Sequence, residues 1–388
     1  MIRVGFVLTF RNQEWLGGVS YFRNLFAAIR AQPDRRIDPV IITRTDASES
    51  LDGFGRNEIV RTKLVEQDAV RWKVRRASQV FLSRDFLFEQ LLARHGIQLL
   101  SHSGHLGRRS RVPTLTWIPD FQERALPEFF SGAEREARAR GLKEACTHAS
   151  AILLSSHAAR GDLSAIDANC AAKSHVLQFV CSVPDPAALL SRDELSRRYG
   201  FQGNYFLLPN QFWAHKNHLV VVEALARLRD AGRRLVVLAT GSPHDHRQPR
   251  HFAALAARAR ELDVEAEFRV LGLVPYIDLM SLMRESIAII NPSLFEGWST
   301  TVEEAKSMGK LTILSDIPVH REQAPERAIF FDPRDPEALA RALEDANARW
   351  DEKAERQHVH EAASALPRRV KVFAETYQKI ALNLVGAV

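Results

Sequence analysis

Short apolar, β-prone runs alternate along almost the whole chain with stretches in which apolar residues recur every three or four positions. The first run covers 4–10. After a loop at 11–18, Tyr21, Phe22, Leu25, Phe26 and Ile29 keep helical spacing. Further runs predict strands at 39–43, 97–101, 114–118, 151–155 and 176–179. Strands separated by helices argue for a parallel, doubly wound sheet. The stretch 182–204 contains Val183-Pro-Asp-Pro186 and Gly200-Phe-Gln-Gly203 and reads as a linker. The alternation then restarts, with strands predicted at 205–209, 235–240, 268–271, 287–291, 311–314 and 329–331. The expected division is an N-terminal Rossmann-like domain over 1–184, a C-terminal one over 203–365, and a terminal segment, 366–388, whose helix returns to the first domain. Ligands of such sheets bind outside the carboxyl ends of the strands. Two α/β domains facing across a cleft would present those ends to one ligand.

A chain of 388 residues exceeds what one core usually organises, which agrees with two domains. The net charge of +6 is unevenly spread. Residues 1–200 hold 29 Lys and Arg against 22 Asp and Glu, and the remainder 24 against 25. The first half is therefore the one expected to meet an anion: nucleic acid, a lipid surface or a phosphorylated acceptor. A solvated, Arg-rich surface explains the same count. No apolar run approaches the ~20 residues that cross a bilayer, and the first residues read as a strand rather than a leader. Cys146, Cys170 and Cys181 are odd in number and lack metal spacing, so a reduced, cytoplasmic compartment is expected.

The most specific segment is Pro292-Ser-Leu-Phe-Glu-Gly-Trp-Ser-Thr-Thr-Val-Glu-Glu-Ala-Lys-Ser-Met-Gly309. It follows an apolar strand and opens a helix. Thr300 and Glu303 fit a capping box, and Gly309 fits the helix end. The backbone N–H groups of Ser299, Thr300, Thr301 and Val302 would then be free for an anion such as a diphosphate. Glu296 falls in the loop and Glu304 about one turn into the helix. Glu303 and Glu304 also suit a helix N-terminus on electrostatic grounds alone.

Two glutamates eight positions apart after a strand, here Glu296 and Glu304, resemble the signature of family 4 glycosyltransferases of the GT-B fold. The resemblance implies a metal-independent, anomer-retaining transfer from a nucleotide-diphosphate sugar. Glu304 would hold the ribose hydroxyls and Glu296 would contact the transferring sugar. No cofactor is implied. Trp117-Ile-Pro-Asp-Phe-Gln122, followed by Leu126-Pro-Glu-Phe-Phe130, resembles a subset of the family that builds bacterial surface polysaccharides; the family resemblance makes GDP-mannose the expected donor, with a glycan or lipid-linked acceptor.

The family also places an Arg and a Lys, five residues apart, on the diphosphate. Lys216 matches the Lys, and Gln211 stands where the Arg is usual. Paired glycines let a backbone approach phosphate without a Cβ clash, so Gly17 and Gly18 are candidates for the loop that in this family closes over the diphosphate. An ordinary turn would need the same residues. Asp120, in Trp117-Ile-Pro-Asp-Phe-Gln122, is the candidate to meet acceptor or sugar hydroxyls; its alternative role is to cap a turn. Val274 sits where family members meet the nucleotide base. His244, Asp245 and His246 are adjacent on one loop, poor spacing for a metal. His102 and His105 could line the site but read more simply as structural.

Finally, Val70, Val74, Ala77 and Phe81 form an apolar helical stripe, with Arg71, Lys73, Arg75, Arg76 and Trp72 expected on the other face. Basic charge beside an aromatic suits peripheral contact with an anionic membrane. A catalytically silent nucleotide-sugar binder and a basic nucleic-acid-binding protein remain as alternatives; the second lacks any recognisable reader motif.

Overall fold

The computed structural model describes residues 1–9, 16–47, 54–67 and 69–386. The chain divides into two compact units. One comprises Met1–Phe121, Gly132–Val180 and Arg368–Val388, and the other Gln122–Ser131 and Cys181–Pro367.

The first unit is built on a parallel sheet: β1 (Ile2–Val7), β2 (Ile37–Thr43), β3 (Glu58–Arg61), β4 (Ile97–Ser101), β5 (Thr114–Ile118), β6 (Ala151–Leu154) and β7 (Ser174–Val176). Among the described residues their order is β3-β2-β1-β4-β5-β6-β7. Central strands such as β6 are buried on both faces, which is why they read as unbroken apolar runs. The helix Leu16–Ala31 buries Tyr21, Phe22, Leu25, Phe26 and Ile29 against this sheet. β3 escaped the sequence pattern because it is an edge strand with Glu58 and Arg61 exposed. The helix Gly132–His148 escaped it because charge surrounds it and only Ala145 is fully buried.

The last helix runs over Glu352–Gly386 with Pro367 inside it, and the chain passes from the second unit to the first just after that proline. Phe373, Tyr377 and Ala381 are buried, and Tyr377 Oη donates to Ser101 Oγ at 2.9 Å.

The expected linker is part of the second unit. It contains the helix Arg192–Tyr199, closed by a Ser191–Glu194 capping box and by Gly200 in the left-handed region. Gln122–Ser131, expected in the first domain, also groups with the second unit. Two of the three cysteines are paired, which their count and spacing did not suggest. Cys146 and Cys170 form a disulfide, because the helices Gly132–His148 and Ala168–Ala172 bring their Cα atoms to 5.1 Å, and only Cys181 is free, and buried. A separation of 24 residues in sequence gave no sign of this, and the cysteine count no longer speaks for a reduced compartment. Among the described residues, no helix is long and apolar enough to cross a membrane.

The second sheet is also parallel: β8 (Phe206–Pro209), β9 (Val237–Thr240), β10 (Phe268–Gly272), β11 (Ile289–Asn291), β12 (Thr312–Ser315) and β13 (Ala328–Phe331), in the order β10-β9-β8-β11-β12-β13. The strand order reverses between β8 and β11. At that switch point neighbouring loops leave the carboxyl edge in opposite directions and open a crevice. The loop after β8 carries Lys216 and the loop after β11 carries Glu296.

Candidate active site

The two loops meet through their charges. Lys216 Nζ donates to Glu296 Oε1 at 2.6 Å, with the side chains 19% and 9% exposed. Ser293 Oγ lies 2.7 Å from the same carboxylate oxygen and 2.6 Å from Asn291 Oδ1. Asn210 Nδ2 donates to Asn291 Oδ1 at 3.2 Å, and Asn291 Nδ2 donates to Ser299 Oγ at 2.8 Å. The ends of β8 and β11 are thus stitched by short polar side chains. Asn217, in the left-handed region that Asn tolerates, donates from Nδ2 to the carbonyls of Pro292 (3.1 Å) and Pro333 (2.8 Å). Gly241 fixes the neighbouring strand end: its φ is +137°, and a Cβ there would lie 2.4 Å from the Asn210 carbonyl oxygen.

Burial alone would raise the Glu296 carboxyl. The charge of Lys216 and its hydrogen bond outweigh it and bring the pKa down to about 2. Burial keeps His215 neutral, its pKa pushed to about 3. His320 is fully buried, and burial lowers its pKa as well. Its Nδ1–H donates to the Ser315 carbonyl at 2.9 Å, which leaves Nε2 an acceptor without a protein partner among the described residues.

Glu304 has the opposite character. It is buried on the helix Thr300–Ser307, where burial raises its pKa to about 8 against the lowering effect of a hydrogen bond with Tyr276. One glutamate of the pair is held as a carboxylate and the other as a neutral acid.

The start of that helix differs from expectation. Ser299, not Thr300, is the N-cap, and its Oγ accepts from the Val302 N–H at 3.4 Å. Ser299 N–H donates to Gln323 Oε1 at 3.1 Å, while Gln323 Nε2 donates to Glu303 Oε1 at 3.1 Å, so Glu303 closes no capping box with Thr300. Of the four amides expected to be free, those of Ser299 and Val302 are occupied. Those of Thr300 and Thr301, in the first helical turn, have no acceptor among the described residues. Thr301 Oγ1 lies 3.3 Å from the Pro209 carbonyl oxygen, linking the helix to the end of β8. The fit of Gly309 to the helix end holds: its φ is +67°, and a Cβ there would meet the His358 carbonyl oxygen at 2.3 Å.

The remaining candidates lie around this edge or in the first unit. Gln211 is half-buried in the β8 loop, and its carbonyl accepts from Trp213 N–H at 2.7 Å. Val274 packs on the cluster containing Leu207 and Leu238. Asp245 accepts from the amides of Ala214 (3.0 Å), Arg247 (2.9 Å) and Gln248 (3.1 Å), a structural role that ties its loop to the Lys216 loop. Among the described residues no cluster suits a metal.

In the first unit, Gly17 and Gly18 fall within the helix Leu16–Ala31 rather than in a loop. Residues 10–15, which hold the rest of the expected loop, lie outside the described residues. Asp120 follows β5 and its Oδ1 accepts from Arg138 at 3.3 Å. Nearby, Trp117 stacks on Tyr21 at 4.4 Å, and the Tyr21 hydroxyl meets His102 Nε2 at 2.6 Å. Burial holds His102 neutral, its pKa near 3.

Ser293, Asn291, His215, His320, Tyr276 and Gln323 were not singled out in the sequence. A signal existed for the first two: small polar residues directly at the end of an apolar strand must find buried partners. The others become visible only when distant loops meet.

Residues 191–364 match the family described as Glycosyl transferases group 1. The resemblance read from Glu296 and Glu304 is thereby borne out for this part of the chain. The O-antigen chain mannosyltransferase RfbU of Salmonella typhimurium is 26% identical over 142 residues, which are 36% of this chain and only 37% of that protein. A glycosyltransferase from Rickettsia africae superposes with a TM-score of 0.66 at 17% identity, covering 98% of both chains. Anabaena Alr3699/HepE, solved in complex with UDP-glucose, gives 0.69 at 15% identity and covers all of both. These solved structures share the GT-B fold with this chain.

Proposed function

Taking the group 1 glycosyltransferase match of residues 191–364 as the premise, we propose that the protein transfers a hexose from a nucleotide-diphosphate sugar to a glycan or lipid-linked acceptor, with retention at the anomeric carbon. The observation that carries this reading is the Lys216–Glu296 pair at the switch point of the second sheet. An ammonium has three N–H groups. Lys216 can therefore keep Glu296 and still donate to a phosphate oxygen. The unoccupied amides of Thr300 and Thr301 add donors at the start of the same helix. With Gln211 in place of an arginine, the diphosphate rests on one side-chain cation of that motif and on backbone.

In this reading Glu296 acts beside the sugar whose anomeric carbon becomes cationic as the diphosphate departs. A carboxylate fixed at a pKa near 2 is charged at every working pH and needs no reorganisation at that moment. Catalysis rests on positioning and electrostatics, without a metal and without a covalent role for any residue. Glu304 serves the ribose hydroxyls. Two hydroxyls donating to it favour the carboxylate, so donor binding should release a proton near neutral pH, a change calorimetry in buffers of different ionisation enthalpy reads directly. Mannose from GDP-mannose is the proposed donor, supported by the mannosyltransferase named above. HepE's UDP-glucose complex supports a uridine donor instead. Thermal shifts with GDP-mannose and UDP-glucose separate the two, because only a ligand of the native state raises its stability.

The deciding experiment is Glu296→Gln, which keeps shape and hydrogen bonding but removes charge. It should lower kcat about a hundredfold, roughly 2.7 kcal/mol of barrier, with donor affinity in calorimetry nearly intact. Wild-type turnover would remove this loop from the reacting centre. A silent donor-binding protein would bind the nucleotide sugar yet never hydrolyse it on prolonged incubation.

A further inference from the structure

In the first unit, the helix Val70–Phe81 is amphipathic in the reverse of the usual sense. Val70 (75% exposed), Val74 (51%) and Phe81 (83%) face solvent with Ala77, and the stripe continues into Leu82 and Phe86, both more than half exposed. These five large side chains lie within seventeen residues, and Phe81 is the most exposed large hydrophobic among the described residues. Arg75 and Gln79 point inward. Arg75 forms an ion pair with fully buried Asp85, donates to the Leu64 carbonyl at 2.9 Å and covers the Phe88 ring at 3.9 Å. Arg76 binds Gln79 and lies 3.8 Å from Glu144, and buried Gln79 binds the His105 carbonyl. Arg75, expected on the outer face, is therefore committed with Gln79 to holding the helix down, while Arg76 bonds within the helix and lies beside Glu144.

The surroundings of the stripe are basic. Residues 69–84 contain no acid, and Arg71 and Lys73 are exposed. The loop after β4 lies against the end of the helix. Arg109 N–H donates to the Ser83 carbonyl at 3.0 Å, Asp85 N–H donates to the Leu106 carbonyl at 2.8 Å, and Gly107, at φ +95°, approaches so closely that a Cβ would lie 2.4 Å from the Ser83 oxygen. This contact sets exposed Arg108, Arg109 and Arg111 beside Phe81, Leu82 and Phe86.

An apolar stripe framed by cations is complementary to a surface with negative headgroups above hydrocarbon. We propose that Val70, Val74, Phe81, Leu82 and Phe86 insert into an anionic bilayer surface, with Arg71, Lys73, Arg108, Arg109 and Arg111 on its headgroups. The inference goes beyond the glycosyl-transfer reading and does not depend on it. It also moves the contact from the four cations of the sequence reading to the apolar stripe.

Flotation of the intact protein with phosphatidylcholine vesicles, and with vesicles containing equal parts of phosphatidylglycerol, tests it. Binding should appear only with the anionic vesicles. Phe81→Ser combined with Phe86→Ser should weaken it at least about tenfold, and Arg108→Gln with Arg109→Gln about fivefold per charge. Should the serine variants fail to fold, Phe81→Trp supplies a second reading, a fluorescence blue shift on anionic vesicles alone. Equal binding to both vesicle types, or wild-type binding by folded Phe variants, overturns the proposal. So does a dimer in sedimentation equilibrium that Phe81→Ser dissolves, since the stripe would then belong to a second copy.

Discussion

The carboxyl edge of the second sheet and the helix Val70–Phe81 place charge and apolar surface in opposite ways. At the sheet edge a lysine and a glutamate are drawn in and surrounded by Ser293, Asn291 and Asn210. Removing either charge leaves the other with nothing equivalent to replace it. On the helix, Arg75 is also drawn in, but what that leaves outside is Val70, Val74 and Phe81, which touch little of the protein. In one region the fold depends on the groups proposed to work. In the other the groups proposed to work are those the fold does not use. The two should therefore respond to substitution very differently.

The largest expected effect is that of Lys216→Ala. It strands a buried carboxylate, a change that costs about 3–5 kcal/mol of stability in comparable pairs. It should also weaken nucleotide-diphosphate binding by roughly 1.5–3 kcal/mol while sparing the bare nucleoside. The Glu296 pKa is depressed, so the pair stabilises fully above the ordinary carboxylate value and loses its contribution as pH falls toward about 2. The difference between wild type and Lys216→Ala in urea titrations should accordingly shrink between pH 4.5 and pH 2. Lys216→Met with Glu296→Gln removes both charges and should recover much of the loss. No recovery would mean that the pair does not act as a unit.

Glu304→Gln comes next and has the opposite sign. The raised Glu304 pKa makes the wild type lose stability as pH rises from the ordinary value of 4.5 to about 8. The glutamine variant should lack that decline. Relative to wild type it should gain at least about 1.4 kcal/mol, the worth of one pKa unit, between pH 5 and pH 8. Parallel melting curves at the two pH values would contradict the burial of this carboxyl.

The smallest effect sharpens the contrast. Phe81→Ser should change stability by no more than about 0.5 kcal/mol, as for surface positions in general. A large loss in Tm would show that the stripe is packed in solution.

Apart from the edge strand β3 and the charged helix Gly132–His148, both sheets and their helices were legible in the chain, because a strand buried on both faces has to be an apolar run and a covering helix has to be apolar at every third or fourth position. The pair Glu296–Glu304 was legible because it is local, confined to one strand–loop–helix passage. Lys216 was legible only through resemblance, since nothing local distinguishes it from a surface lysine. The burial and partners of these residues were decided in three dimensions. The reversal between β8 and β11 brings loops 80 residues apart to within a hydrogen bond, and that contact makes Glu296 a fixed anion, while burial without a cation makes Glu304 a neutral acid despite its bond with Tyr276. The same limit governed Cys146 and Cys170, and the helix Val70–Phe81. Periodicity told which residues share a face; only the docking of that helix through Arg75 and Gln79 told which face looks out, because a buried ion pair can outweigh an apolar stripe that has no partner.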